Sequence, residues 1–143
     1  MLQLAVDLHE VIRQHGMDAY PHEGCGLLLG RAEDGVNIVS AVHPLPNVWP
    51  AEEEKHDRFR IAEDDWRDVE IEAMMDSLDV IGVFHSHPDH PPVASARDLA
   101  WAAWPGYSYL ITKIAGGRPD HSRSWQLLPD RSGFREETIE EIL

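Results

Sequence analysis

Val80-Ile81-Gly82-Val83-Phe84 is an unbroken apolar run that leads directly into His85-Ser86-His87. A run of that length predicts a buried central strand, and a strand aims side chains at its carboxyl end more accurately than a loop does. Three further residues complete the ligand and acid/base types that water-activating metal chemistry needs: Glu23 upstream, and Ser95 and Asp98 downstream.

Around that strand the periodicities predict alternating helices and strands. Leu4, Leu8, Val11 and Ile12 recur at helical spacing, which predicts a helix over residues 2–15 ended by Gly16. Residues 24–30 suit a buried strand, and Asp34-Gly35 offers a hairpin turn into a second strand over 36–42. Pro44, Pro46 and Pro50 break regular hydrogen bonding, so the stretch through Lys55 is expected as an extended surface loop. Phe59 and Ile61 mark a short strand after it. Residues 63–78 predict a helix with Trp66, Val69, Ala73 and Met74 along its apolar stripe. Ser95-Ala-Arg-Asp98 fits a capping box opening a short helix that Pro105 stops. Strands are expected over 107–114 and 124–128, and the tail from Phe134 to Leu143 reads equally as helix or edge strand. The alternation implies an α/β class with a mixed layer, and the long hairpin argues against an entirely parallel sheet.

The two histidines are expected on opposite faces of a straight strand, so that both reach one ion only if the chain leaves the strand at Ser86. Asp98 then approaches from the start of the next helix. Two imidazoles and a carboxylate fill three positions around zinc and leave a fourth for water. Glu23 is placed to collect and return a proton. Ser95 has one hydroxyl donor, which either supports a developing oxyanion or caps the helix. Taken singly, each feature has a plain structural explanation; together they point to a metallohydrolase.

Composition narrows the partners. The 143 residues carry 26 acidic and 12 basic side chains, a formal charge of -14. That is far beyond the roughly 2 to 8 units comfortable for a small domain, and it argues against a nucleic-acid partner. The excess either selects cationic partners or reflects life in concentrated salt, where self-repulsion is screened. Cys25 is the sole cysteine, which excludes an intrachain disulfide framework. No secretory signal or 18-residue apolar segment is visible, so a reducing, cytoplasmic location and no membrane partner are expected. No linker divides the chain, and residues 1–143 are expected as one catalytic domain.

At Glu23, His85, His87, Ser95 and Asp98 the chain closely resembles the JAMM, or MPN-plus, metalloprotease family. That pattern is a glutamate followed much later by His-x-His, seven residues, Ser, two residues and Asp. The likeness extends to Pro88, to residues 22–30 and to Pro46-Asn47. The resemblance implies a mixed, curved β-sheet flanked by helices, with zinc held by His85, His87 and Asp98. It implies Glu23 as general acid/base, Ser95 as stabiliser of the tetrahedral intermediate, and Asn47 as a residue shaping the substrate channel. The family chemistry is hydrolysis of a peptide or isopeptide bond beside the C-terminal tail of ubiquitin or a ubiquitin-like protein. The compact chain looks most like the prokaryotic branch, which implies a ubiquitin-like sulfur carrier as partner. The competing reading is a noncatalytic scaffold of the same fold that binds a protein.

Several residues invite a function that the sequence alone does not assign. Cys25 reads as buried packing. His22 and His90 flank the candidate site and face either substrate or solvent. Trp49 binds a partner or anchors its loop, and Trp66, Trp101 and Trp104 read as core or interface residues. No pattern in the sequence marks an interface between copies.

Overall fold

A computed structural model describes the backbone of residues 1–143 and the side chains of all but residues 100 and 101. The expectation that Trp101 packs as a core or interface residue therefore lies outside the described residues. Eight strands and three α-helices are present, with a short 3-10 helix at Glu52–Glu54: β1 (Leu2–Ala5), α1 (Val6–Ala19), β2 (Cys25–Glu33), β3 (Val36–Leu45), α2 (Glu63–Met75), β4 (Asp79–Pro88), α3 (Ala96–Trp101), β5 (Ser108–Ala115), β6 (Arg118–Leu127), β7 (Phe134–Glu137) and β8 (Ile139–Ile142). They form one mixed sheet in the order β7-β6-β5-β4-β2-β3-β1-β8. β7 and β8 are joined by Thr138 alone yet stand at opposite ends of that order, so the sheet must curl until its two edges meet. The Leu2 amide donates to the Thr138 carbonyl at 2.9 Å, which ties β1 to the junction between β7 and β8.

The apolar run becomes the inner strand β4, antiparallel to β2 and parallel to β5. Its phase is reset by a bulge. Leu28 pairs with Gly82 but Leu29 pairs with Val80, leaving Ile81 as the extra residue. Ile81 and Phe84 consequently pack with Leu2, Leu4, Ile12 and Leu28. Val83 faces the other way, into a cluster with Cys25, Leu27, Leu29, Val69 and Ala73. One face of the sheet is thus covered by α1 and the other by α2.

The β2–β3 turn is built as expected, with Asp34 and Gly35 both at positive φ, 50° and 78°, the geometry of a tight hairpin turn. Elsewhere the expectations need correction. The first residues form β1 before the helix begins, because the register with β3 and β8 claims them. Gly16 does not end α1. It lies inside the helix, where a Cβ would press on Ile114 and Ser86, so its role is close packing against the sheet. The buried stripe of α1 is His9, Ile12 and Gly16, and Val11 is exposed. In α2, Val69 and Ala73 are buried but Met74 is 74% exposed, one residue past the stripe. Residues 57–62 hold no strand. The tail is two edge strands rather than a helix.

Among the described residues no helix is long and apolar enough to cross a membrane. Exposed carboxylates crowd α2, among them Asp64, Asp68, Glu70 and Glu72. Their mutual repulsion is screened by salt, so thermal unfolding followed in dilute buffer and in molar salt is expected to show a higher midpoint in salt. Equal midpoints would reject a stabilising role for salt.

Candidate metal centre

β4 does not break at Ser86. It continues in parallel register with β5 through His87 opposite Lys113 and Pro88 opposite Ile114. Alternate residues of a strand share a face, so His85 and His87 point together toward the α2 side while Ser86 points toward α1. The expected departure from the strand is unnecessary, and the expectation of opposite faces misassigned the alternation. Ser86 instead staples the neighbouring strand: its amide donates to the Gly24 carbonyl at 3.0 Å and its Oγ accepts from the Gly24 amide at 2.8 Å. That double contact sets Glu23 beside His87.

His85, His87 and Asp98 are all buried and offer one ligand atom each within 4.8 Å of one another. His85 Nε2 lies 3.1 Å from His87 Nε2 and 3.1 Å from Asp98 Oδ1, and His87 Nε2 lies 3.4 Å from Asp98 Oδ2. Ligands ~2.0 to 2.2 Å from a tetrahedral centre stand about 3.3 to 3.6 Å apart. These separations are at or just under that spacing, and the nitrogen and oxygen donor set suits zinc. The cluster fits a divalent ion.

The surroundings aim the ligands. His87 Nδ1 donates to the Pro91 carbonyl at 2.7 Å, which orients the ring with Nε2 facing the cluster. The Pro91 turn is itself steadied by Trp125 Nε1, which donates to the Pro92 carbonyl at 3.1 Å. Asp98 is held by a capping box: its Oδ2 accepts from the Ser95 amide at 2.7 Å and the Ser95 Oγ accepts from the Asp98 amide at 3.1 Å. Accepting that bond leaves the Ser95 hydroxyl hydrogen free to donate elsewhere. Capping and transition-state support are therefore compatible at Ser95. Burial acts to raise the Asp98 carboxyl, but His85, hydrogen bonds from His85 and His87, and the Ser95 amide outweigh it and hold the group well below the usual carboxylate range.

His85 has no such polar anchor. Its Nδ1 is buried without a hydrogen-bond partner among the described residues, and its ring is oriented by stacking on Phe59, centroids 4.7 Å apart. Phe59→Ala is accordingly expected to weaken zinc binding ~10-fold, the lower end of the range for ligand-orienting residues, as read by chelator competition. Unchanged affinity would show that the stack does not orient the ring.

Glu23 is 2% exposed, and its Oε2 stands 4.0 Å from His87 Nε2 and 3.9 Å from His90 Nε2. Burial first, then the charges of Asp98 and Asp57, push its carboxyl up to about 9. Its backbone is pinned on both sides, with its amide donating to the Lys55 carbonyl at 2.7 Å and its carbonyl accepting from Asn47 Nδ2 at 3.0 Å. Asn47 also donates to the Arg58 carbonyl and accepts from the Trp49 and Arg60 amides. All its polar atoms are thereby engaged in clamping the 47–60 loop to Glu23. Asn47→Ala is expected to lower turnover by up to ~100-fold through displacement of Glu23 while zinc content stays whole. Loss of zinc in parallel with turnover would overturn that division.

Trp49 anchors its loop: Nε1 donates to Glu54, and Arg60 lies 4.9 Å over the ring. Cys25 is buried, and burial followed by the nearby Glu23 pushes its thiol up to about 12, which suits packing. His90 stacks on His87 with centroids 4.1 Å apart and with Glu23 and His87 forms a second metal-capable group. His22 stands apart from both groups, 3.9 Å from Glu52. A groove of about 840 Å³ runs from Glu23 and Asp98 past Phe59 to Trp66 and Trp104, a size typical of ligand sites. Trp66 and Trp104 stack on each other at 4.9 Å along it. The sequence marks Phe59 only as part of a short strand, and it gives no sign of the Pro91 carbonyl as an acceptor. The histidine, proline and aspartate spacing marks the ligands, but nothing local marks a stacking partner from a distant loop or a backbone acceptor.

The comparisons with known proteins agree with this geometry. The family model described as prokaryotic homologs of the JAB domain matches residues 5–128. A desampylase of Haloferax volcanii is 35% identical over 126 residues, covering 84% of this chain and 86% of the relative. A probable TtuB-protein conjugate cleaving protease of Thermus thermophilus is 34% identical over 100 residues, covering 68% of this chain and 60% of the relative. A solution structure of a Desulfitobacterium hafniense protein superposes with a TM-score of 0.84 at 30% identity, covering 99% of this chain and 92% of that one. With its buried histidine and aspartate cluster on a curled mixed sheet, the chain belongs to the prokaryotic JAB-domain family of JAMM/MPN-fold metalloproteases.

Proposed function

We propose that the chain is a zinc-dependent peptidase or isopeptidase that acts at the C-terminal tail of a small ubiquitin-like sulfur-carrier protein. The observation that carries this is the His85, His87 and Asp98 cluster with the Glu23 carboxylate beside it, opening on the groove. The names of the two curated relatives, a desampylase and a protease cleaving TtuB-protein conjugates, favour a protein-conjugate substrate. We place the activity in one catalytic domain over residues 1–143 and in a reducing, cytoplasmic compartment, where the buried thiol of Cys25 needs no partner.

His85, His87 and Asp98 are the residues that would hold zinc, with Glu23 as general acid/base and Ser95 as oxyanion support. A bound zinc ion supplies positive charge that acidifies water and polarises the scissile carbonyl. Glu23 takes a proton from the attacking water and returns it to the leaving amine. Without a cation its raised pKa keeps the carboxyl protonated at neutral pH, and a neighbouring cation favours the charged form. The base is therefore ready only when the ligands are loaded. The hydroxyl hydrogen of Ser95, left over from the cap, is directed to the oxygen of the attacked carbonyl.

The test incubates zinc-loaded and chelator-stripped protein with two substrates: a ubiquitin-like carrier extended by a C-terminal cysteine, and the same carrier joined to a lysine side chain. Release is read by intact mass. Zinc-dependent cleavage directly after the carrier tail is expected for at least one. Cleavage of unrelated peptides alone would overturn the carrier assignment. No cleavage of any substrate by the loaded protein would overturn the enzymatic reading in favour of a scaffold.

A further inference from the structure

On the opposite side of the sheet from the metal cluster lies a second constellation that the proposed reaction does not use. His9, inside the buried stripe of α1 and 5% exposed, spans two partners. Its Nδ1 is 2.6 Å from Glu141 Oε2 and its Nε2 is 2.8 Å from Ser122 Oγ. Ser122 Oγ is in turn 2.7 Å from Thr112 Oγ1. Thr112 on β5 pairs in register with Ser86 on β4 and with Ser122 on β6, so these groups share the α1 face, away from His85 and His87.

The proton directions follow from Glu141. An ionised carboxylate only accepts, so His9 donates from Nδ1 and presents the Nε2 lone pair to Ser122. Ser122 then donates its hydrogen to His9, and its oxygen takes the Thr112 hydrogen. Arg13 Nη2, 3.8 Å from Glu141 Oε2, helps keep the carboxylate charged. A serine hydrogen-bonded to a histidine that a carboxylate orients is the arrangement of an activated nucleophile, recognised by geometry and not by fold. Joining β8 to α1 requires only the His9 and Glu141 pair. Ser122 satisfies the buried Nε2 of His9 and also lines a cavity of about 460 Å³ at the seam of the curled sheet, with Arg123, Glu136, Glu137, Thr138 and Ile139.

We propose that Ser122, His9 and Glu141 form a second, metal-independent nucleophilic centre that accepts small acyl groups from activated esters. Ser122 Oγ attacks the acyl carbonyl carbon while its proton passes to His9 Nε2. The bond from that carbon to the leaving oxygen breaks, and His9 returns the proton to the departing alcohol or phenol. Water then regenerates the serine by the same exchange. The cavity's predominantly polar lining selects short acyl chains over fatty ones, and Arg123 is already engaged by Glu136 at 2.6 and 2.7 Å, which leaves little to attract an anionic donor.

The full chain, stripped of metal, is treated with a fluorophosphonate probe and separately with p-nitrophenyl acetate, and adducts are located by peptide mass mapping. A single adduct at Ser122 is expected in the folded protein, absent in Ser122→Ala and formed at least ~10-fold more slowly in Glu141→Gln. Ser122→Ala should keep its unfolding midpoint and its zinc-dependent peptidase activity, which separates this centre from the metal site. No adduct at Ser122, an adduct only after denaturation, or equal labelling of wild type and Glu141→Gln would each overturn the proposal.

Discussion

Glu23→Gln protein is expected to bind zinc at wild-type stoichiometry and to turn over ~100 to 10,000-fold more slowly. The substitution keeps the shape of a side chain that is 2% exposed and removes only its ability to hold and return a proton. A second consequence concerns stability. In the metal-free protein the carboxyl is pushed from an ordinary 4.5 up to about 9, so between those values the folded chain keeps a proton that the unfolded chain releases. Unfolding is then favoured progressively as pH rises through that window. Glutamine carries no such burden. Metal-free Glu23→Gln is therefore expected to be more stable than metal-free wild type at pH 8, with the difference vanishing toward pH 4. Zinc should narrow the gap, because a cation beside the carboxylate offsets its burial. Thermal unfolding with chelator at both pH values checks this, and a gap independent of pH would mean that burial of the Glu23 charge is not its source.

A residue that weakens the empty fold while equipping the loaded one is a usual mark of an active site, and here it was legible from spacing. His85, His87 and Asp98 stand in a short stretch whose residue types and intervals are informative on their own, and Glu23 precedes a buried strand that pairing can bring beside them, as the β2–β4 ladder does. What was not legible is non-local. The bulge at Ile81 exists because β2 and β4 differ by one residue in register between Leu28 and Leu29, a property of the pair and not of either strand. The stack of Phe59 on His85 joins an irregular loop to β4, and the alternation of residues 57–61 imitates a strand that no neighbour completes. In the tail, Phe134-Arg-Glu-Glu-Thr-Ile-Glu-Glu-Ile satisfies helical and alternating patterns alike. The closing of the sheet on both of its edges decides for strands. His9 is illegible for the same reason: a polar residue in an apolar stripe is explained only by Glu141 and Ser122, 132 and 113 residues further along.

Asp98→Asn is expected to cost more zinc affinity than the ~10 to 100-fold typical of residues that merely orient ligands, because it removes the one charge in the ligand set and both oxygens of Asp98 are committed. Oδ1 faces His85 Nε2 at 3.1 Å, while Oδ2 accepts the Ser95 amide at 2.7 Å and stands 3.4 Å from His87 Nε2. An amide has one oxygen. If that oxygen keeps the helix cap, its NH2 group points at His85 and into the metal position. If the NH2 group turns toward Ser95, two donors meet and the cap opens. Either way a neutral side chain replaces the carboxylate that balances two imidazoles and a cation. The pH dependence of the empty protein changes in step. Because the Asp98 carboxyl is held low, its stabilisation is present above the ordinary carboxylate value and disappears as pH falls through the lower folded value. The variant should lack that part of the acid limb. Chelator competition reads the affinity without reference to turnover. Retention of wild-type affinity by Asp98→Asn would move the ion to the neighbouring group of Glu23, His87 and His90, and adding His90→Ala should then strip it. Such an ion would occupy the very carboxylate needed as base, so a protein that bound zinc there tightly would be a loaded but inactive one.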